Sequence, residues 1–173
     1  MLYINTMKKN LEVYVEKIEI KQIITADEKI LNKITQWMYN WWGEKDGYTY
    51  EEVKCFMNHS MEKDRLPQTY GIFLNNEIIG IYQFSYEDLS IRPDIYPWLA
   101  NVYICESYRN KGYARKMLET VKSNAQEKLN FNEIYLYTKH KGLYEKFGWE
   151  FISDFDTYSK EPRIQRLYKM HLK

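Results

Sequence analysis

The chain has 173 residues, of which 45% are hydrophobic and 28% charged, the balance of a globular protein able to bury a substantial core. Its 25 basic and 24 acidic residues nearly cancel, so the composition gives no general reason to expect nucleic acid or an anionic membrane as a partner. No apolar run reaches transmembrane length and the first residues lack a signal-peptide core, so the cytoplasm is the expected compartment.

Neither a metal site nor a division into domains is indicated. Cys55 and Cys105 are isolated and lack the C-x-x-C spacing of a zinc site, which favours reduced thiols over a disulfide framework. No internal repeat, low-complexity segment or linker interrupts the sequence. We therefore expect residues 1–173 to form a single domain.

The N-terminal part predicts one strand followed by two helices. Alternating apolar and charged residues from Val13 to Ile24 indicate the first strand. Thr25-Ala-Asp-Glu28 resembles a helix N-cap with acidic residues in the first turn, and apolar residues continue at helical spacing as far as Trp41. Thr49 is expected to cap a second helix that contains Met61.

A hairpin and a loop are predicted next. Two short strands at 69–74 and 78–86 flank Asn75-Asn76-Glu77. Asparagine tolerates positive φ, so this segment is expected to form the hairpin turn. Residues 87–97 then form a polar loop that contains two prolines.

The centre of the sequence predicts a strand, a basic turn and a helix. The apolar run from Trp98 to Cys105 indicates a buried strand. A polar break and the turn Arg109-Asn-Lys-Gly-Tyr-Ala114 follow it. Beyond the turn, apolar residues recur at helical spacing and give one buried helix face: Met117, Leu118, Val121 and Ala125.

This turn has the properties of an anion-binding site. The first backbone N–H groups of a helix have no acceptor within it, and the helix dipole adds partial positive charge there. Gly112 permits a positive φ or a close backbone approach, while Arg109, Lys111 and Arg115 supply three cations. A pyrophosphate suits such a site. An ordinary basic loop is the alternative, because a single glycine makes neither a P-loop nor a G-x-G-x-x-G fingerprint.

The C-terminal part predicts three more strands. The composition of residues 133–138 indicates an interior strand, and residues 142–147 form a short helix that Gly148 ends. Residues 149–154 and 164–172 make a final antiparallel pair. The resulting order, β-α-α-β-β-β-α-β-α-β-β, describes an α/β fold with a mixed sheet.

Two blocks of sequence resemble the GNAT superfamily, the Gcn5-related N-acetyltransferases. The turn from Arg109 to Ala114 looks like the R/Q-x-x-G-x-G/A signature of that family, with alanine at the third motif position. Ile134–Thr138 and Gly142-Leu-Tyr-Glu-Lys-Phe-Gly-Trp149 resemble its downstream strand and its LYEKFGW element. The resemblance covers roughly residues 70–152. It implies a GNAT-like (acyl-CoA N-acyltransferase) fold: a mixed central sheet of about six to seven strands flanked by helices, with a V-shaped opening between strands 4 and 5.

The resemblance also implies acetyl-CoA as cofactor. Main-chain groups near Val102 and Ile104 would bind the pantetheine like an added strand, backbone amides from Arg109 to Ala114 would hold the pyrophosphate, and Lys111 and Arg115 would add charge. Simple core packing is the alternative role for Val102 and Ile104. The expected cofactor-binding residues are Val102, Tyr103, Ile104, Arg109, Asn110, Lys111, Gly112, Tyr113, Ala114 and Arg115.

Tyr144 is the catalytic residue that the resemblance indicates. A tyrosine at this motif position lies beside the cofactor sulfur and acts as general acid, and a phenol with a pKa near 10 keeps its proton at neutral pH. Aromatic packing of the short helix against the sheet is the alternative. The family's asparagine after the fifth strand is absent, because this segment has Lys139 and His140, which are considered as cofactor contacts instead.

The general base is less sharply indicated. Glu106, directly after the central strand, is the expected base. A water chain could also carry the proton from the ammonium. Four other carboxylates are alternatives: Glu44, Asp46, Asp88 and Asp94.

The expected reaction is direct transfer of the acetyl group to a primary amine of a small molecule. Aromatic residues could form the floor of the acceptor site and the acidic residues could attract a cationic amine. The aromatic candidates are Trp41, Trp42, Tyr48, Tyr86 and Trp98. Acetylation of a peptide or protein amine is one alternative, and a non-catalytic acetyl-CoA sensor or interaction module is another. A homodimer is possible on the same resemblance.

Overall fold

The computed structural model describes residues 16–157 and 164–173. Its elements follow the predicted order. The strands and helices are β1 Ile18–Ile23, α1 Glu28–Met38, α2 Tyr50–Asn58, β2 Gln68–Leu74, β3 Glu77–Ser85, β4 Trp98–Ile104, α3 Tyr113–Lys128, β5 Glu133–Thr138, β6 Glu150–Asp156 and β7 Ile164–His171. A π-helical turn spans Tyr39–Gly43, and 3-10 turns span Glu106–Tyr108 and Tyr144–Phe147. Val13 and Val15 of the predicted first strand lie outside the described residues.

Side-chain caps explain where α1 and α2 begin. The carboxylate of Asp27 accepts a hydrogen bond from the Ile30 N–H at 2.8 Å. Thr49 and Glu52 form a reciprocal capping box, because each side chain accepts from the other residue's backbone N–H. Both N-caps lie in the segments that the sequence indicated.

The prediction that the second helix contains Met61 is wrong. α2 ends at Asn58, where side chains of the following residues take over its last carbonyl groups. The ring of His59 bonds the Cys55 carbonyl at 2.8 Å, and the Ser60 hydroxyl donates to the Phe56 carbonyl at 2.7 Å. Met61 is buried all the same, at 8% exposure, in the segment beyond the helix.

The Asn-Asn turn joins β2 and β3 as predicted. Asn75 has a φ of 49° and Asn76 a φ of 68°. A tight two-residue hairpin needs positive φ at both central positions, which asparagine tolerates better than other residues with a Cβ.

One seven-stranded sheet contains all the strands, in the order β1-β2-β3-β4-β5-β7-β6. Neighbouring strands are antiparallel except for β4 and β5, which are parallel. The mixed α/β sheet flanked by helices that the resemblance implied is therefore confirmed.

Both faces of the sheet are covered by apolar cores. Ile72 belongs to the core that includes Met117 and Val121 of α3, whereas Phe73, the next residue of β2, belongs to the core under α1 and α2. Because successive side chains of a strand point to opposite faces, α3 lies on one side of the sheet and α1 and α2 lie on the other. Within the described part of the chain, no helix is both long and apolar enough to cross a membrane.

Candidate functional site

β4 and β5 share a single register pair, at the start of β4. Trp98 pairs with Tyr135, and the Tyr135 N–H donates to the Pro97 carbonyl at 2.9 Å. No residue of β4 beyond Trp98 pairs with β5, although β4 stays paired with β3 as far as Ile104. The main chain of β4 therefore lines a V-shaped opening towards β5.

A bulge in β4 lies at this opening. Ala100 faces Gln83 and Tyr103 faces Ile81, so Asn101 and Val102 together oppose one residue of β3. Asn101 has a φ of 50°. Sequence analysis missed this residue, because alternation of apolar residues gives no sign of an inserted position.

The turn before α3 presents free backbone donors. Asn110 and Gly112 have φ angles of 61° and 81° on either side of Lys111, and such alternation turns successive N–H groups towards one point. The N–H groups from Gly112 to Arg115 donate to no acceptor among the described residues. A Cβ added at Gly112 would meet no described atom within 4 Å, so the backbone there faces open space.

The three basic side chains of the turn, Arg109, Lys111 and Arg115, have different partners. The Arg109 guanidinium turns back, donates to the Ile104 carbonyl at 2.9 Å and lies 5.2 Å from the Tyr103 ring centre. The Lys111 ammonium lies 5.3 Å from the Tyr108 ring centre, while Arg115 pairs with Glu119 along α3 at 2.9 Å. Arg109 thus closes the loop onto the end of β4, and Lys111 and Arg115 stay near the N-terminus of the helix.

A cavity of about 340 Å³ lies between α3 and the 3-10 turn Tyr144–Phe147. Its walls are formed by Arg115, Glu119, Leu143, Lys146 and Phe147. Free amides and cations at the turn suit a pyrophosphate, and the unpaired side of β4 suits an extended amide-containing arm. The residues present therefore fit acetyl-CoA.

Tyr144 combines a buried ring with a hydroxyl that is free within the described part of the chain. The residue is 7% exposed, and its ring packs edge-to-face on Trp149 with 6.2 Å between ring centres. Burial raises the pKa of Tyr144 to about 12, so the phenol is protonated at neutral pH. Its hydroxyl bonds to no described residue, and it is not among the fully enclosed polar atoms.

The turn that carries Tyr144 is anchored from β7. The Tyr168 hydroxyl donates to the Glu145 carboxylate at 2.8 Å and accepts from the Arg166 Nε at 2.9 Å. Tyr168 is fully buried, and its ring lies 6.3 Å from that of Tyr144. These contacts fix the turn through the residue next to Tyr144.

The carboxylates proposed as bases lie in contrasting environments. The Glu106 side chain is 81% exposed and lies 3.4 Å from Arg109, and Asp94 is bound by Arg92 at 2.6 Å. Asp88 makes no side-chain hydrogen bond or ion pair with the described residues, and burial raises its pKa to about 7. Its carbonyl accepts from the Tyr137 hydroxyl at 3.3 Å, which holds Asp88 beside β5.

The predicted aromatic floor is divided between two places. Trp42 packs edge-to-face on Tyr48 at 6.0 Å and reaches Asn101 of β4 through its indole N–H at 3.1 Å. Tyr86 and Trp98 instead line a separate cavity of about 380 Å³ beside the 87–97 loop. Trp41 lies 5.5 Å from the Tyr103 ring and is 48% exposed.

The acceptor side also contains residues that sequence analysis did not single out. Burial raises the pKa of Tyr137, and the nearby carboxylates of Asp88 and Asp46 raise it further. Tyr137 packs between Trp98 at 6.2 Å and Phe155 at 6.0 Å. Because Tyr137 lies in an apolar strand, the sequence indicated only a packing role for it.

Lys139 and His140, considered as cofactor contacts, follow β5. Both residues are exposed. The His140 N–H donates to the Thr138 hydroxyl at 3.2 Å. The His140 carbonyl oxygen lies 3.4 Å from the Tyr168 hydroxyl. Among the described residues, no group of three or more potential ligands could hold a metal ion.

Comparison with known proteins places the fold among acetyltransferases. An aminoglycoside 6'-N-acetyltransferase solved with coenzyme A superposes with a TM-score of 0.69 at 10% identity, covering 90% of this chain and 97% of the other. A chimeric spermidine N-acetyltransferase built partly from the Vibrio cholerae enzyme gives 0.68 at 14% identity, covering 88% and 95%. A Salmonella typhimurium acetyltransferase that modifies the N-terminal serine of a 50S ribosomal subunit protein gives 0.66 at 13%, covering 90% and 95%. At these identities, the likeness shows the fold alone.

The sequence itself assigns the family. No curated protein matches the chain. Residues 29–149, well over half of the 173, match the family model described as "Acetyltransferase (GNAT) family". Acetyl-CoA is the cofactor implied by this family, in agreement with the free amides before α3 and the opening beside β4. The chain belongs to the GNAT family of acetyltransferases.

Proposed function

We propose that this protein transfers the acetyl group of acetyl-CoA to a primary amine of a small molecule by direct attack. The observation that carries the proposal is the turn Asn110–Arg115, whose free N–H groups adjoin the opening between β4 and β5. An acceptor amine approaching from the side of α1 and α2 would meet the opening from the face opposite α3.

Each of the chain's own groups has a stated task in this proposal. Acetyl-CoA, when bound, supplies an acetyl group activated as a thioester. The amides before α3 would hold its pyrophosphate, and the hydroxyl of Tyr144 would donate a proton to the sulfur as the carbon–sulfur bond breaks. The Glu145–Tyr168 contact keeps Tyr144 in place.

Asp88 is our preferred general base, ahead of Glu106. A general base works best when its pKa is close to the working pH, and burial raises the pKa of Asp88 to about 7. Glu106, by contrast, is open to solvent and lies 3.4 Å from Arg109.

A thiol-release assay tests the proposal with three acceptors: spermidine, kanamycin, and a peptide with an N-terminal serine. We expect CoA release with one of the two small amines. Release with the peptide alone would favour the protein-amine alternative. Calorimetric binding of acetyl-CoA without turnover of any acceptor would favour the sensor alternative. A folded protein that binds neither acetyl-CoA nor CoA would contradict the proposed function.

Lys111→Ala is the better variant for testing the pyrophosphate contacts by calorimetry. The Arg109 side chain also holds the Ile104 carbonyl, so its removal would disturb the loop as well as the charge. We expect Lys111→Ala to weaken CoA binding and to make it less sensitive to salt.

A further inference from the structure

A chain of hydrogen bonds runs from the acceptor side into the core. The Trp42 indole N–H donates to Asn101 Oδ1 at 3.1 Å, and Asn101 Nδ2 donates to Gln83 Oε1 at 2.6 Å. Gln83 Nε2 donates to Thr69 Oγ1 at 2.8 Å, and the Thr69 hydroxyl donates to the Ser60 carbonyl at 2.5 Å. We call these four bonds the polar chain.

The two ends of the polar chain fix its direction. The Trp42 indole can only donate and the Ser60 carbonyl can only accept, so the amides of Asn101 and Gln83 each have one compatible orientation. Gln83, Thr69 and Ser60 are at most 1% exposed. A break would leave a buried polar group without a partner, so the polar chain is expected to act as one unit.

One member of the polar chain forms the bulge of β4. Asn101 has a φ of 50°, and its side chain uses both its oxygen and its nitrogen in the chain. A left-handed residue with a Cβ persists where its surroundings hold it there. The bulge lies just after the single register pair of β4 with β5, Trp98 and Tyr135, where the opening begins.

The outer end of the polar chain lies on an exposed aromatic surface. Trp42 belongs to the π-helical turn Tyr39–Gly43, a form of insertion that occurs frequently at functional sites. Its ring packs edge-to-face on Tyr48 at 6.0 Å and on Phe56 at 5.9 Å, and these two residues are 51% and 44% exposed.

We propose that Asn101 is a positioning residue through which contacts at Trp42 set the geometry of the cofactor-facing strand. The polar chain makes Trp42, Asn101 and the bulge depend on one another, so occupancy of the acceptor side and affinity for acetyl-CoA are coupled. This rests on the proposed function in taking the opening between β4 and β5 as the acetyl-CoA site.

A double-mutant cycle in acetyl-CoA binding tests the coupling without any acceptor. Trp42→Phe removes the indole donor but keeps an aromatic ring, and Asn101→Gly removes the side chain but leaves the left-handed φ accessible. We expect each variant to weaken acetyl-CoA binding about fivefold in calorimetry, and the double variant to bind no more weakly than either single one. Asn76→Gly, the same change at a left-handed position in the β2–β3 turn, is the matched control and should bind like the wild type.

The outcomes separate positioning from stability. A purely structural role would lower the melting temperature but leave the dissociation constant unchanged when binding is measured well below melting. That result, or single effects that multiply in the double variant, would overturn the proposal and leave the proposed function standing. Failure of the folded wild type to bind acetyl-CoA would overturn both.

Discussion

Tyr144 has an environment that suits proton donation. Burial of its ring raises its pKa to about 12, which keeps the phenol protonated but also makes it a weaker acid in the free protein. The same low solvation would destabilise the thiolate that leaves the thioester. Transfer of the phenol proton to that sulfur would remove its negative charge. Donation is then favourable as the carbon–sulfur bond breaks and not before.

Tyr144→Phe should therefore affect the chemical step and leave binding nearly unchanged. We expect kcat to fall by about a hundredfold, the usual contribution of general acid catalysis, with the CoA dissociation constant within about twofold. Tyr70→Phe is the control, because burial raises the pKa of Tyr70 to about 12 as well and its hydroxyl bonds Gln68 on β2. An equal loss of kcat in both variants would contradict the assignment.

Asp88→Asn should change the pH dependence of turnover. With a pKa of about 7, Asp88 loses its ability to accept a proton as the pH falls below neutrality, so kcat/KM of the wild type should decline from about pH 8 to pH 6. The variant should lack this titration and be slower at all pH values. Glu106→Gln, at an exposed position, should keep the wild-type profile, and a lost acidic limb in that variant would instead identify Glu106 as the base.

The raised pKa of Asp88 should also make the free energy of unfolding depend on pH. Its folded-state pKa lies above the ordinary 3.8, so between these pH values the folded protein binds the proton more tightly than the unfolded chain does. The free energy of unfolding should consequently fall as the pH rises from about 4 to about 7. Asp88→Asn should remove that loss and be relatively more stable above pH 7, by at most about 4 kcal/mol in urea titrations.

Among the elements of the fold, the turn before α3 is the one whose backbone conformation should directly affect CoA binding. Gly112→Ala places a methyl group at a φ of 81°, in space that is open in the free protein. The strain should cost about 1 kcal/mol of stability, as for any such left-handed position. Because the methyl group would enter the space in front of the free amides, we also expect CoA affinity to fall at least about tenfold. Gly47→Ala, at a φ of 87° in an open turn, should show the stability cost alone.

Most elements were predictable because their signals are local. Thr49 and Glu52 mark a capping box within four residues, and Asn75 and Asn76 specify a turn whose φ values they tolerate. The basic turn at Gly112 was likewise visible as a pattern. These features depend on neighbours in sequence, so the sequence alone was enough to indicate them.

The remaining features depend on contacts between distant residues. Asn101 bonds Trp42, 59 residues away, and Tyr137 bonds the Asp88 carbonyl, 49 residues away. No spacing rule relates such positions. The end of α2 before Met61 was missed for a related reason: Met61 continues the apolar pattern, but the capping contacts of His59 and Ser60 end the helix first.

For the whole molecule, a ligand in the opening should act as a stabilising component of the sheet. β4 and β5 share one register pair, whereas every other pair of neighbouring strands shares at least five. CoA at a hundred times its dissociation constant should stabilise the folded state by about 2.7 kcal/mol, which a rise in melting temperature would report. Hydrogen exchange should slow most in β4 beyond Trp98, and a uniform slowing across the sheet would contradict binding in the opening.

The short pairing of β4 with β5 has a consequence for residues far from any ligand. Because few backbone bonds cross the gap between the two strands, we expect its width to depend on side-chain packing in the core under α3. Val121 lies in that core with Ile134 of β5 and Tyr82 of β3. Substitutions in that core would then change the distance between β4 and β5, and with it the affinity for CoA. Val121→Ala should lower stability by about 1–2 kcal/mol and also shift CoA affinity, which calorimetry and urea titration would show together. Core substitutions that accumulate during evolution could thereby change ligand affinity while every residue at the opening stays the same.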